Sequence, residues 1–467
     1  MKKFIFIFVL IPLLFSCGSV SASQSDRDYT QSYPASKAFD TNRTDKQGKS
    51  MNDTEKKLIA IRYTADRTKR NNEHGFTLLK LGIRGAIYFN TRDDVADALT
   101  ALMDFYYEWA KDKLTIASHE IGTGTRNRSG RMRQIKLSEK SYLKERNKVY
   151  RWLDERTENA SEVDWWMQSE HADTSASYYF SISSIAAGWA NEPHMPLGAL
   201  LFNLPLEILS SPKDLAKLDE FVDKIAEKLD VFHGYIGLAA IPPHNYYDGA
   251  PYEYGVCREN FGLIPVTTDY LSTFYRYNIR SISWYTLVGR ELYGQLPAGR
   301  IEPVLANHPD IQMRDIAGIK VFKIGNLPET GDIHEDLPLD YIALNRALEP
   351  IREKYPRENM GGITREQMYY WSRRWDGWEV EEKDGKKIYT QAPQEIIGVE
   401  EEPVPISGIW KITSFNGETR HFNKGEIFPE GEGERTQKAL LGPQMGLTIW
   451  ELVKGDHDES LRRKPIW

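Results

Sequence analysis

Apolar positions recur along this chain at two periods, and the places where the period changes mark its elements. From Phe76 to Asn90 the residues are apolar, β-rich and partly alternating, which predicts a strand bent at Gly82 and Gly85. The period then turns helical: Asp93 or Asp94 can cap a helix whose Val95, Leu99, Leu102, Met103, Tyr106 and Trp109 form one buried stripe. A Gly- and Arg-rich stretch from Gly122 to Arg133 reads as a surface loop, and Ser138 to Arg156 reads as a charged amphipathic helix. A break is expected near Val163 to Trp166. Ser177 to Trp189 and Gly198 to Leu209 predict two strands of an antiparallel pair, joined through Asn191-Glu192-Pro193. Ser211-Pro212 opens a helix with Leu218, Phe221, Val222 and Ile225 on its apolar side, and a strand from Val231 to Ile241 follows.

Further along, Asp269 to Tyr277 predicts a helix, Ile279 to Val288 an alternating core strand and Ile319 to Ile324 a short strand. Tyr341 to Arg352 and Thr364 to Trp375 predict helices. Sequence from about 377 to 405 is acidic and contains Gly and Pro, the signature of a linker. Beyond it, Ile409 to Phe422 around Asn416-Gly417 is a strong hairpin signal, and Thr448 to Val453 adds a third strand. The expected fold is α+β: a largely antiparallel sheet with helices packed on it, plus a small C-terminal all-β module. The expected boundaries are 54–376 for the α+β body, 377–405 for the acidic linker and 406–467 for the β module.

At the N-terminus, Met1-Lys2-Lys3 precedes an apolar run from Phe4 to Phe15, too short to span a bilayer, so residues 1–16 read as a signal peptide. The run ends on Leu14-Phe15-Ser16-Cys17-Gly18, which resembles a bacterial lipobox and makes Cys17 the expected lipidation site. Gly18 carries no acidic retention signal, so the expectation is an outer-membrane lipoprotein facing the periplasm. A soluble envelope protein cut near Ala22 is the competing reading. Residues 17–53 are polar and weakly periodic, as in a disordered tether. Removing residues 1–16 leaves 58 basic against 67 acidic residues, so the mature net charge is −9 rather than −7. With no global positive field, nucleic acid is excluded as the expected direct ligand.

Catalytic signatures are sparse. None of the ten His stand four apart around a Glu, and the two Cys, Cys17 and Cys257, offer no pair for a structural zinc, so no metal and no cofactor is expected. Gly122-x-Gly124 lacks the third Gly of a dinucleotide loop, and Ser210-Ser211-Pro212-Lys213 is explained by helix capping. Cys257 with His233 or His244 could form a nucleophile pair, although a lone Cys among aromatics is more often a buried small side chain. Asp248 with Glu253 could form an acid pair for glycan chemistry. The strongest concentration of recognition residues is Tyr246, Tyr247, Asp248, Tyr252, Glu253 and Tyr254, whose rings supply contact area at low entropy cost and whose acids add charge.

Four places carry a family resemblance: Tyr277 to Gly289, with Trp284; His233-Gly234-Tyr235; Gly331-Asp332 leading into Asn345-Arg346 and Pro350-Ile351-Arg352; and Thr364 to Trp375 with Trp371, Arg373 and Arg374. Over roughly residues 70 to 376 the chain resembles bacterial type VI secretion immunity proteins paired with VRR-type nuclease toxins. Gly408 to Trp410, Arg420 to Phe422 and Trp450 resemble a short module found at the end of toxin-neighbourhood proteins. The resemblance implies a non-enzymatic neutraliser whose partner is a cognate protein toxin, bound stoichiometrically. An envelope anchor stands at odds with a toxin that kills in the cytoplasm. The competing classes are an envelope enzyme acting on glycan or peptide, and a non-catalytic scaffold lipoprotein.

Overall fold

The computed structural model describes residues 52–456 apart from 123–133, 157–161, 190–196, 244–249, 267–268, 270–277, 354–364, 384–385, 392–395, 400–402, 405, 413–418 and 430–448. The first half of the body runs α1 (Asp53–Thr68), β1 (Arg70–Asn71), β2 (Thr77–Asn90), α2 (Val95–Ala110), β3 (Ile116–Gly122), β4 (Ile135–Lys136), α3 (Glu139–Leu153), β5 (Glu162–Gln168), β6 (Tyr179–Ile185) and β7 (Gly198–Leu204). It continues through α4 (Pro212–Lys228), β8 (Asp230–Ile241), α5 (Ala250–Glu259), β9 (Ile264–Pro265), β10 (Tyr285–Val288), α6 (Arg290–Tyr293), α7 (Glu302–Asn307), β11 (Ile311–Ile316), β12 (Ile319–Ile324), α8 (Leu339–Leu348) and α9 (Arg365–Ser372). Two small sheets follow, from β13 (Trp378–Lys383) and β14 (Lys386–Gln391), and from β15 (Ile397–Val399), β16 (Gly408–Ile412), β17 (Thr419–Phe422) and β18 (Ile449–Gly455).

Among the described residues twelve strands join in one sheet, in the order β11-β12-β10-β8-β2-β7-β6-β5-β3-β4, with β1 beside β2 and β9 beside β8. Its pairings are antiparallel except β8 with β9. The α+β expectation holds. β2 and β8 lie at the centre and are buried almost throughout, because strands flank them and helices cover the sheet. Helix starts follow local chemistry: Ser138 and Ser211 each accept a backbone N–H three residues on, and Pro212 opens α4 where its missing N–H costs nothing. One core cluster runs from Ile61 to Trp375, and a second, from Ile396 to Leu452, belongs to the C-terminal sheet.

Several local expectations need correction. The break near Val163 is instead β5, an interior strand between β3 and β6. Of the strand expected over Ile279–Val288, only Tyr285–Val288 pairs as one; Ile279 instead bridges Arg352, and the buried backbone between them turns Arg280 inward. The stretch read as a linker holds the β13–β14 hairpin and β15. The Gly- and Arg-rich loop beyond Gly122, the helix over 270–277 and the Asn416-Gly417 turn lie outside the described residues.

Candidate functional site

The aromatic segment expected to bind a partner divides. Tyr246, Tyr247 and Asp248 lie outside the described residues, as does Cys17. On α5, Tyr252 is 53% exposed, whereas Glu253 and Tyr254 are 0% and 7% exposed. Glu253 accepts the backbone N–H of Val266, so its charge holds the chain rather than meeting solvent. The helix packs on β8, β9 and α9, which leaves outside a stripe through Tyr252 and Glu259 and, beside it, the exposed Arg258. Tyr252 and Glu259, seven residues apart, share that stripe. Cys257 is fully buried, and burial pushes its thiol well above the usual range; Glu253 reinforces the shift, while Arg374 and Arg280 oppose it. A protonated, sequestered thiol is no nucleophile at neutral pH. His233 is buried too, its ring 4.6 Å from that of Tyr88.

Beneath this segment lies a charge network that the sequence reading missed. Asp269 is fully buried between two arginines, with Arg84 Nε 2.8 Å from one carboxylate oxygen and Arg280 Nη1 2.7 Å from the other. Tyr235 donates its hydroxyl to the same carboxylate, and Tyr88 donates to the Asp269 carbonyl at 2.8 Å. Arg84 also donates to Asn203 at 2.9 Å, and Arg280 to the Pro265 carbonyl at 2.9 Å. One carboxylate thereby ties β2, β8 and the strand-like run before β10 together. Arg374 is held by neutral groups, the carbonyls of Phe261 at 2.6 Å and Trp371 at 3.0 Å and the Ser281 hydroxyl at 3.0 Å, and it stacks 3.9 Å over Trp371. Burial pulls its guanidinium down to about 9. Arg352 reaches Asp376 at 2.5 Å and Asn345 at 3.0 Å. The signal in sequence was an Arg set inside an apolar or Trp-rich run, as at Arg84, Arg280 and Arg374.

This scaffold presents an acidic face. Residues 329–336 dock on the end of α5: Phe261 and Gly262 donate to the carbonyls of Gly331 and Thr330, both at 2.8 Å, and Ile333 donates to the Glu259 carbonyl at 3.1 Å. The approach requires glycine at 262, where a Cβ would lie 1.9 Å from the Glu329 carbonyl oxygen. Glu329, Asp332, Glu335 and Asp336 gather there. Burial raises the Glu335 carboxyl above the ordinary range, and the charges of Asp332, Asp336 and Glu329 raise it further. The local counter-cations are Lys57, 2.5 Å from Glu329, and Arg67, 3.4 Å from Glu259. Tyr389 of the hairpin stands against Asp336; burial, then that neighbouring charge, push its hydroxyl up to about 12. Glu379, Glu381 and Glu382 extend the acidic surface along β13.

Elsewhere a groove of about 330 Å³ lies between α7 and α8, lined by Val304, His308, Ala343 and Ala347 with Arg300 and Arg346. Its lining supplies no carboxylates for glycan chemistry, and Arg300 is occupied by the carbonyls of Ala347 and Arg346, both at 2.7 Å. Among the described residues no group of three or more His, Cys, Asp and Glu is placed to hold a metal.

Comparison with known proteins agrees with the family resemblance. A structure titled Pseudomonas aeruginosa T6SS protein PA0821 is 20% identical, covers 66% of this chain and 87% of its own, and superposes with a TM-score of 0.54, which shows a shared fold. No curated protein matches the chain. The family model described as type VI immunity for VRR-NUC, TsiV, matches residues 99–376, more than half of the sequence and most of the body around Asp269. The chain belongs to the TsiV family of type VI immunity proteins.

Proposed function

We propose that this protein neutralises its cognate toxin by binding it one to one and covering its working surface, with no chemistry of its own. The observation that carries the reading is the acidic face of residues 329–336, held against the family-matched body by the end of α5. A nuclease must present cationic groups to the phosphate backbone, and a preformed acidic surface competes for them. The strength of such a complex comes from desolvated anchors near its centre, with the charges steering encounter and fixing orientation. Tyr252, exposed on the stripe it shares with Glu259, is one such anchor. The Cys17 lipobox supports attachment to the envelope, where the protein meets an incoming toxin before the cytoplasm.

The test is to express each product of the genes neighbouring this one, directed either to the cytoplasm or to the periplasm, with and without the full chain, and to take the one that kills as the candidate toxin. Survival of chain-expressing cells together with recovery of a one-to-one complex is expected. Equal killing in both compartments and no complex would overturn the proposal. Protection in the periplasm alone supports interception at the envelope.

A further inference from the structure

We infer that the β13–β14 hairpin is a docking element that adds an extended, basic segment of the toxin as a third strand along the edge of β13 that no described strand pairs. The inference rests on the reading of the protein as a toxin-binding neutraliser and names the surface that does the binding. Two-stranded sheets are marginal in water by themselves. Glu379 to Lys383 are all exposed, as are Lys387, Ile388 and Thr390, so the face that carries Glu379, Glu381 and Ile388 is open, while the opposite face meets the body through Trp378 and Tyr389. Two of the eight large apolar side chains exposed among the described residues, Val380 at 38% and Ile388 at 43%, sit on this one short hairpin.

Its base, by contrast, is clamped. Trp378 donates its indole N–H to the Arg374 carbonyl at 2.7 Å, Gln391 donates to the Asp376 carbonyl at 3.0 Å, and Arg346 donates to the Trp378 carbonyl at 3.0 Å. Phe261 packs against Trp378 with ring centroids 6.2 Å apart. The hairpin is thus aimed and ordered before any partner arrives, which lowers the entropy lost on binding.

The two edges differ in a way that selects one. A lysine on an edge strand discourages pairing with another chain, and β14 carries the exposed Lys387. β13 carries Glu379, Glu381 and Glu382 against the single Lys383, so its edge repels acidic strands and admits basic ones. Side chains alternate across a strand, so Glu379 and Glu381 face one way and Val380 and Glu382 the other. A matching strand places Lys or Arg opposite Glu379 and Glu381, and an apolar residue beside a basic one opposite Val380 and Glu382. The acids of residues 329–336, beside Tyr389 at the base, lengthen the negative track. The hairpin starts at Trp378, just past the family-matched residues 99–376.

The experiment measures binding of the full chain to the toxin that the co-expression test identifies, with its active site inactivated, by calorimetry at low and high salt. Glu379→Lys with Glu381→Lys, and separately replacement of 380–388 by a short Gly-Ser turn, are each expected to weaken binding by at least about tenfold at low salt. The charge-reversal defect should shrink at high salt, and neither variant should shift the unfolding temperature of the body. Amide exchange along β13 should slow in the wild-type complex. Variants that bind within about twofold of wild type, or a complex that leaves β13 amides unprotected, overturn the docking strand and leave toxin neutralisation standing. A wild-type chain that fails to bind overturns the functional reading, and the hairpin inference falls with it.

Discussion

Replacing Asp269 by Asn tests whether the buried charge network organises the body. The substitution keeps shape and removes the carboxylate that faces Arg84 at 2.8 Å and Arg280 at 2.7 Å, and it turns one carboxylate oxygen into an N–H donor aimed at a guanidinium or at the Tyr235 hydroxyl. Breaking a buried pair by removing one partner costs about 3–5 kcal/mol, because the remaining charge stays desolvated. An unfolding entropy of about 2.1 cal/mol/K per residue over a body of roughly 300 residues turns this into a fall in Tm of about 5–8 °C. Scanning calorimetry on the mature chain at neutral pH reads that shift, with urea unfolding as a second measure.

Arg84→Met should cost less, since Asp269 keeps Arg280, and the double variant should be more stable than the sum of the singles implies, with a coupling of about 1–3 kcal/mol. A loss under about 1 kcal/mol for Asp269→Asn, or strict additivity with Arg84→Met, would refute the idea that these groups act as a unit.

Trp450 is fully buried, with ring centroids 4.9 Å from Phe422 and 6.0 Å from Phe428, so Trp450→Ala removes about 3–5 kcal/mol from a small sheet. Limited proteolysis should then cut within 396–456 while the body survives. Cys257 should resist thiol reagents until the protein unfolds, because its thiol is buried and its pKa raised; rapid labelling of the native chain would contradict this. Gly262→Ala should destabilise by about 1–3 kcal/mol and loosen residues 329–336, read by their amide exchange. The folded-state carboxyl of Glu335 is raised, so stability falls as pH rises from the unfolded to the folded pKa and stays lower above it. Glu335→Gln should therefore raise Tm at neutral pH, with the gain fading as pH drops below the ordinary Glu range, and a flat difference between the two proteins across that range would count against the repulsion.

Elements written into local chemistry were legible in sequence, and those written into long-range contacts were not. Ser211-Pro212 and Ser138 announced helices because capping is decided within four residues. The first helix had such a sign in Asn52 and Glu55, which form a reciprocal cap, but its apolar stripe is weak and it was passed over. In β5 Val163, Trp165 and Met167 alternate, but Trp166 on the opposite face is buried as well, so the run lacks the clean polar alternation that marks a half-exposed strand. The acidic run after Gly377 has the composition of a linker, since the side chains of β13 beyond Trp378 are all exposed. At the site, Glu253 and Tyr254 follow Tyr252 directly in sequence, but each helical step of about 100° turns the next side chain away, so both are buried while Tyr252 is exposed. Arg84 and Arg280 stand inside apolar runs that signal burial, but nothing local announces that Asp269, 185 residues after Arg84, supplies their anion.

These two classes of charge obey different constraints, and the difference bears on how such a protein changes partners. Around Asp269 each side chain is fixed by several others, so a substitution there costs kilocalories and alters the body. Along β13 the side chains are exposed, and a change costs the fold within about 0.5 kcal/mol. Because Trp378, Gln391 and Arg346 hold the base of the hairpin, residues 379–388 can vary without losing their aim. Partner choice can then drift on the hairpin while the platform stays unchanged. Grafting a different alternating charge pattern onto 379–383 should accordingly shift which toxin is bound without moving Tm, and a graft that unfolds the body would show that hairpin and platform are one cooperative unit.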